Sequence, residues 1–157
     1  MRCLLLLILT CSFFTTFAQT DAVTNPDYSK VNPELQKKYL PEGYKNLYVG
    51  IPLETVKKIR PKATTEGSIL GYEHETFKTG LLKEITYQNI NSDVYEFIFE
   101  YNKTTAEVEQ IALKLYGKPN AGEDGRPYKW SFQLQDGLKL FIWVFKNKIC
   151  IADAKMF

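Results

Sequence analysis

The sequence predicts an α+β domain in which helices pack on an antiparallel sheet, arranged as two α-β-β-β units in tandem. Three observations point there. Apolar residues recur with period two between residues 69 and 101 and again between 128 and 152. A capped stretch with helical spacing, Thr104 to Gly117, separates those two regions. Short turns bearing Gly or Asn join the strands, as hairpins require. The chain has 157 residues, 45% hydrophobic and 24% charged, with 20 basic and 18 acidic side chains. That length suits one domain, and the near balance of charge excludes a dedicated nucleic-acid binder. Collagen-like, low-complexity and wholly disordered chains are excluded by the same composition.

Residues 1–18 have the layout of a signal peptide. Met1-Arg2 supplies positive charge, Leu4 to Leu9 is uninterrupted apolar chain, and Thr16-Phe17-Ala18 places small residues at −3 and −1 of a cut before Gln19. The apolar stretch, Leu4 to Phe17 at its longest, falls short of the ~20 residues of a spanning helix. The mature chain is therefore expected to carry no transmembrane segment and to reside in the periplasm or outside the cell. Cys11 offers an alternative, an outer-membrane lipoprotein, but Thr10 is a poor residue before a lipidated cysteine and Phe13-Phe14 prolong the apolar run beyond it. Cleavage removes Cys3 and Cys11, so Cys150 remains alone and no internal disulfide is expected. Flanked by Ile149 and Ile151, Cys150 reads as a small buried residue.

Residues 19–32 show no hydrophobic period and read as a flexible N-terminal arm; residues 33–157 then form a single α+β domain. Asn32-Pro33 is a cap followed by proline at the first helical position, opening a short helix that stops at Pro41-Glu42-Gly43. Pro52 opens a second helix with Leu53, Val56 and Ile59 on one face, ended by Pro61. Strands follow at Ile69–Phe77, Leu81–Asn89 and Val94–Tyr101. For the first turn a three-residue loop, Lys78-Thr79-Gly80, sets Glu75 opposite Lys83 and His74 opposite Glu84, whereas a two-residue turn would oppose Glu75 and Glu84. Asn91-Ser92-Asp93 makes the next turn.

Thr104 and Glu107 have capping-box spacing, and Val108, Ile111, Ala112 and Leu115 form one stripe that Gly117 and Pro119 terminate. Strands at Tyr128–Gln135 and Leu138–Phe145 are joined by Asp136-Gly137, read as a two-residue turn, and Asn147-Lys148 turns into a last strand, Ile149–Ala152. That register pairs Phe132 with Phe141, Trp130 with Trp143 and Tyr128 with Phe145 in one aromatic ladder. The repeat units would be residues 47–101 and 102–154.

Chemistry is sparse in this sequence. His74, the single histidine, lies between Glu73 and Glu75, whose side chains alternate to the opposite strand face, so no local metal cage is expected. Glu96 and Glu100, about 13 Å apart along an extended strand, exceed the usual separation of a glycosidase pair and read as the solvated side of a half-buried strand. Glu123-Asp124-Gly125 lacks the alternating ligands of a calcium loop. Phosphate cradles, serine elbows and Cys-x-x-Cys pairs are absent from the sequence. No cofactor and no metal are expected, and the lysine doublets Lys37-Lys38 and Lys57-Lys58 read as solvated helix faces. Asn102-Lys103-Thr104 matches a glycosylation pattern, with Thr104 already claimed as a helix cap. What stands out is the aromatic content, 10 Phe, 10 Tyr and 2 Trp. Tyr95, Phe97, Phe99 and Tyr101 share one strand face. Tyr128, Trp130, Phe132, Phe141, Trp143 and Phe145 form the candidate binding surface for a protein, peptide or glycan.

A stripe-bearing helix, then Tyr116-Gly117-Lys118-Pro119, a strand carrying Trp130 and a hairpin ending in Asn147-Lys148 resemble the β-lactamase-inhibitor-protein-like group of small exported domains, which includes the SmpA/OmlA-type outer-membrane assembly lipoproteins. The resemblance covers roughly residues 103–154 and, more faintly, 47–101. It implies a non-catalytic protein whose sheet binds another protein. The expectation is thus an exported, non-catalytic binding or interaction module of the bacterial envelope or exterior. The alternatives are a small secreted hydrolase built on carboxylates, or a structural envelope component.

Overall fold

A computed structural model describes residues 26–66 and 72–157. The signal, the start of the arm and the first residues of the strand expected from Ile69 lie outside the described residues. The chain folds as an α+β domain, a sheet with helices packed on one of its faces. Asn32 caps α1 (Pro33–Gln36), its Oδ1 accepting the Glu34 N–H at 3.0 Å, and the turn tightens to 3₁₀ geometry over Lys37–Tyr39. Pro52 opens α2 (Leu53–Ile59). Helix α3 (Thr105–Tyr116) carries both halves of the expected capping box: the Thr104 N–H donates to Glu107 Oε2 at 2.9 Å and the Glu107 N–H to Thr104 Oγ1 at 3.4 Å. Gly117 ends it with φ +75°, a conformation that costs a residue without Cβ little.

Among the described residues seven strands form a single antiparallel sheet, four before α3 and three after it: β1 (Thr64–Glu66), β2 (Tyr72–Thr76), β3 (Leu82–Ile90), β4 (Asp93–Tyr101), β5 (Lys129–Gln133), β6 (Lys139–Phe145) and β7 (Lys148–Asp153). Their spatial order is β1-β2-β3-β4-β7-β6-β5. Two meanders therefore meet in the middle, where the last strand of each, β4 and β7, pair. Strand β1 carries no apolar alternation and was not expected from the sequence. At the other edge Asn120 blunts β5: its Oδ1 accepts the Ser131 N–H at 2.8 Å and its Nδ2 donates to the Ser131 carbonyl at 3.1 Å. Such capping hides edge groups that would otherwise template aggregation.

The inner face of the sheet is the core. The expected row Tyr95, Phe97, Phe99 and Tyr101 is buried there, joined by Ile149 and Ile151 on β7 and by Leu140 and Ile142 on β6. Val108 and Ala112 of α3 cover it, as do Leu47, Val49, Ile51 and Val56. Ile111 is half-buried and Leu115 exposed, so the α3 stripe is only partly core. Gln36, also buried, mimics a strand neighbour for Val49: its Oε1 accepts the Val49 N–H at 2.8 Å and its Nε2 donates to the Val49 carbonyl at 3.0 Å.

Two hairpin registers depart from expectation. Asp136-Gly137 is not a two-residue turn: the Leu134 N–H donates to the Leu138 carbonyl, leaving a three-residue loop of Gln135, Asp136 and Gly137, with Gly137 at φ +90°. Asp136 dictates this by using its carboxylate twice, on the Leu138 N–H at 3.1 Å and on the Asn32 N–H at 2.8 Å. One extra loop residue exchanges the faces of one strand relative to the other. Trp130 thus opposes Ile142, Phe132 opposes Leu140, and Ser131 opposes Phe141. The aromatic ladder is split across the sheet.

In the β2–β3 hairpin the loop is two residues longer than expected in total registration. Glu75 pairs with Ile85 and His74 with Thr86, rather than with Lys83 and Glu84. A shift of two preserves the faces, and Glu75 takes its counter-charge from Arg60 instead of Lys83. Further turns are tighter than read: Ile90 pairs with Asp93 across Asn91-Ser92, both at positive φ, and Phe145 pairs with Lys148 across Lys146-Asn147.

Of the expected flexible arm, residues 26–32 are docked. Tyr28 is buried and its hydroxyl donates to Asp153 Oδ2 at 3.2 Å, while Val31 packs on the core. Gly50 makes room: a Cβ there would stand 2.8 Å from Tyr28 Cβ and Cγ, at φ +93°. Gly50→Ala is expected to displace Tyr28 and destabilise the domain by about 1–3 kcal/mol. Urea melts would show it, and the Tyr28→Ala/Gly50→Ala double variant should lose less than the sum of the two single losses.

Candidate functional site

The six residues of the expected aromatic surface occupy two faces. Trp130 is fully buried and its Nε1–H donates to the Gly117 carbonyl at 3.0 Å; Phe132 packs on Tyr39 with ring centroids 4.5 Å apart; Tyr128 is half-buried against the same core. Phe141, Trp143 and Phe145 lie on the outer face. There Lys129 Nζ stands 4.6 Å from the Phe141 ring centre, Phe157 meets Trp143 edge-on at 5.1 Å, and Phe145 is 55% exposed. Trp143, Cys150 and Ala152 form a small buried cluster flanked by Ile98 and Phe141. The six are not one surface.

The scattered chemical groups stay scattered. His74 and Cys150 share a face and a row, but three strand spacings of ~4.8 Å separate β2 from β7, so roughly 14 Å lies between them. Burial pushes the Cys150 thiol well above its ordinary range, which suppresses the reactive thiolate. Glu96 is not solvated as expected: it is 4% exposed, and burial raises its carboxyl to about 7. Glu100, four residues on, is engaged by Lys83 at 2.7 Å and Lys148 at 3.1 Å, which hold its carboxylate low despite some desolvation.

Three carboxylates, Asp27, Asp136 and Asp153, line a cavity of about 250 Å³ under the docked arm. Each is committed to the backbone: Asp27 accepts from the Ser29 N–H, Asp136 from Asn32 and Leu138, and Asp153 from Lys155. They are turn and cap residues here. Glu123 pairs with Lys129 at 3.0 Å. Among the described residues no three His, Cys, Asp or Glu side chains are grouped as a metal ion would need. Among the same residues no helix is long and apolar enough to cross a membrane.

The most ligand-like feature is an apolar groove of about 340 Å³. Ile111 and Leu115, one turn apart on α3, make one wall, and Phe77 with the loop Thr79–Leu82 makes the other. Pro41, Glu42, Tyr44 and Tyr101 of β4 complete the lining. Leu81 is 53% exposed and Leu115 39%.

The Leu81 loop is held firmly. Asn102 Nδ2 donates to the carbonyls of Gly80 at 3.1 Å and Leu82 at 3.2 Å, and the Asn102 N–H donates to the Leu81 carbonyl at 2.9 Å. This employs the amide nitrogen that the glycosylation pattern had suggested for a sugar. Behind the groove, Arg60 lies 5.1 Å from the Tyr44 ring centre and 6.0 Å from that of Phe77, and its Nε donates to Glu75 Oε2 at 2.8 Å. The walls are thus braced from inside. Sequence reasoning missed the groove, having assigned Leu115 to the core stripe and Leu81 to a strand start. The Leu81-Leu82 doublet was the available signal, since period-two alternation must turn one of the two outward.

No protein-family model matches the chain, and neither does any curated protein or solved structure.

Proposed function

We propose that the protein is an exported, non-catalytic interaction module of the bacterial envelope or exterior, and that it docks a partner protein at the groove beside α3. The observation that carries this reading is Leu81, presented 53% exposed on a loop whose three successive carbonyls are all tied to Asn102. An apolar side chain carried on a backbone already tied in place leaves less of the loop to be ordered when a partner covers it, which is the property of an interface anchor. The export signal read from residues 1–18 supports the location. The likeness to the β-lactamase-inhibitor-protein-like group belongs to the same reading. So does a tandem repeat, supported by a helix and a three-stranded meander in each half, α2 with β2-β3-β4 and α3 with β5-β6-β7, the first half carrying the additional strand β1.

The test is affinity capture from cross-linked envelopes of the native host. Leu81→Asp/Leu115→Asp should retain the wild-type melting temperature within a few degrees, because both side chains face solvent. The same variant should lose at least about 90% of a specifically captured partner, a tenfold effect worth about 1.4 kcal/mol. Undiminished capture by the double variant would reject the groove as the docking site. N-terminal sequencing of the mature protein should begin at Gln19.

A further inference from the structure

We propose that the groove receives an acidic, aliphatic segment of the partner, with a bulky apolar side chain seated between Leu81 and Leu115 and carboxylates against Lys62 and Lys78. The inference rests on the docking reading above and gives the partner segment its chemistry.

Phe77 and Thr79 wall the groove on one side and also line a second depression beyond it, of about 450 Å³. That depression holds Lys62 and Lys78, both exposed and neither in an ion pair among the described residues. Its carboxylate, Glu75, is 5% exposed and already neutralised by Arg60. Glu42, which also lines the groove, is paired with Lys45 at 2.7 Å. The groove's own carboxylate is thus paired, while the two cations of the adjoining depression are uncompensated. A segment lying in the groove gains most when its carboxylates fall beside Lys62 and Lys78.

Tyr101 also lines the groove. Its side chain is 2% exposed. Burial pushes this phenol up to about 12, so it stays protonated near neutral pH. Leu81 favours a protein over a small amphiphile. It stands out from the groove, and a molecule lying inside would leave its outer side wet.

The experiment pans a random peptide display library on the purified protein, on Leu81→Asp/Leu115→Asp and on Lys62→Glu/Lys78→Glu, with melting temperatures confirming that all three are folded. Dodecanoate binding is titrated in parallel. Wild type should enrich peptides that place Asp or Glu within about four residues of a Leu, Ile or Phe. Charge reversal should weaken a selected peptide about tenfold at low salt and shift new selections toward Lys and Arg. Selected peptides with no acidic preference, or indifferent to charge reversal, overturn this inference and leave groove docking standing. No enrichment above the Leu81→Asp/Leu115→Asp background overturns both. Saturable dodecanoate binding without peptide enrichment also overturns it, assigning the groove to small amphiphiles.

Discussion

Trp130→Ala is expected to cost about 3–5 kcal/mol, the largest loss of any single aromatic truncation in the domain. The indole is fully buried, packs on Tyr116 with ring centroids 5.4 Å apart, and donates to the carbonyl that ends α3. Its removal opens a cavity and takes away the partner of the Gly117 carbonyl, two penalties that add. Equilibrium urea unfolding would measure the loss, and the melting temperature should fall by roughly 10–20 °C. Phe145→Ala, by contrast, should change stability by less than about 0.5 kcal/mol, since that ring is 55% exposed. A double-mutant cycle separates the two registers of the β5–β6 hairpin. In an aromatic ladder Trp130 and Trp143 would face each other and couple. With Trp130 opposite Ile142 and Trp143 opposite Lys129, the two indoles lie on opposite faces, so their losses should add within about 0.5 kcal/mol.

The contrast between the two tryptophans shows where local sequence signals stop. Helix α3 was legible because its determinants are neighbours in the chain: Thr104, Glu107, the stripe beginning at Val108, and Gly117. Strand identity was legible wherever alternation was strong, as in β4. Register was not, because it depends on loop length, and loop length depends on distant partners. Asp136 chooses the three-residue loop while also holding the Asn32 N–H, 104 residues away in sequence. The β2–β3 error was milder. A shift of two residues returned each side chain to its expected face and changed only its neighbours, so the cation of Glu75, a buried residue, is Arg60 and not Lys83.

The groove was illegible for a further reason. Pro41 to Tyr44, Phe77 to Leu82, Tyr101 and the last turns of α3 come from four separated segments. Each is unremarkable alone. Their convergence is a product of the strand order, which sets the β2–β3 loop and the end of β4 beside α3. Aromatic richness, the most conspicuous compositional feature, was spent chiefly on the core, where Tyr87, Phe97, Phe99, Tyr101 and Trp130 are among the largest fully buried side chains.

Glu96→Gln is expected to stabilise the protein above neutral pH by on the order of 2–3 kcal/mol, with little effect near pH 4.5. Glu96 lies on the outer face of β4 between Gln88 and Ala152, in a row that continues to Phe141. Burial alone lifts its carboxyl from 4.5 to about 7. Between those two values the folded protein holds a proton that the unfolded chain has released. Stability therefore declines as pH rises from about 4.5 through 7 and levels off once the folded carboxyl has ionised. Gln copies the protonated form and should remove the decline. Glu107 acts in the opposite direction and in a lower window: its bond from the Thr104 N–H and its contact with Lys103 bring it to about 2, so what it adds is lost only as pH falls below its ordinary value. Cys150, the nearby thiol, is pushed too high to ionise in the same range. Melting temperatures between pH 4 and 9 should thus superimpose for wild type and Glu96→Gln at the acid end and part by roughly 5–10 °C at pH 8. Parallel curves across the range would mean that the carboxyl already reaches solvent, and that the centre of the outer face is wetter than its buried neighbours Cys150 and Ala152 indicate.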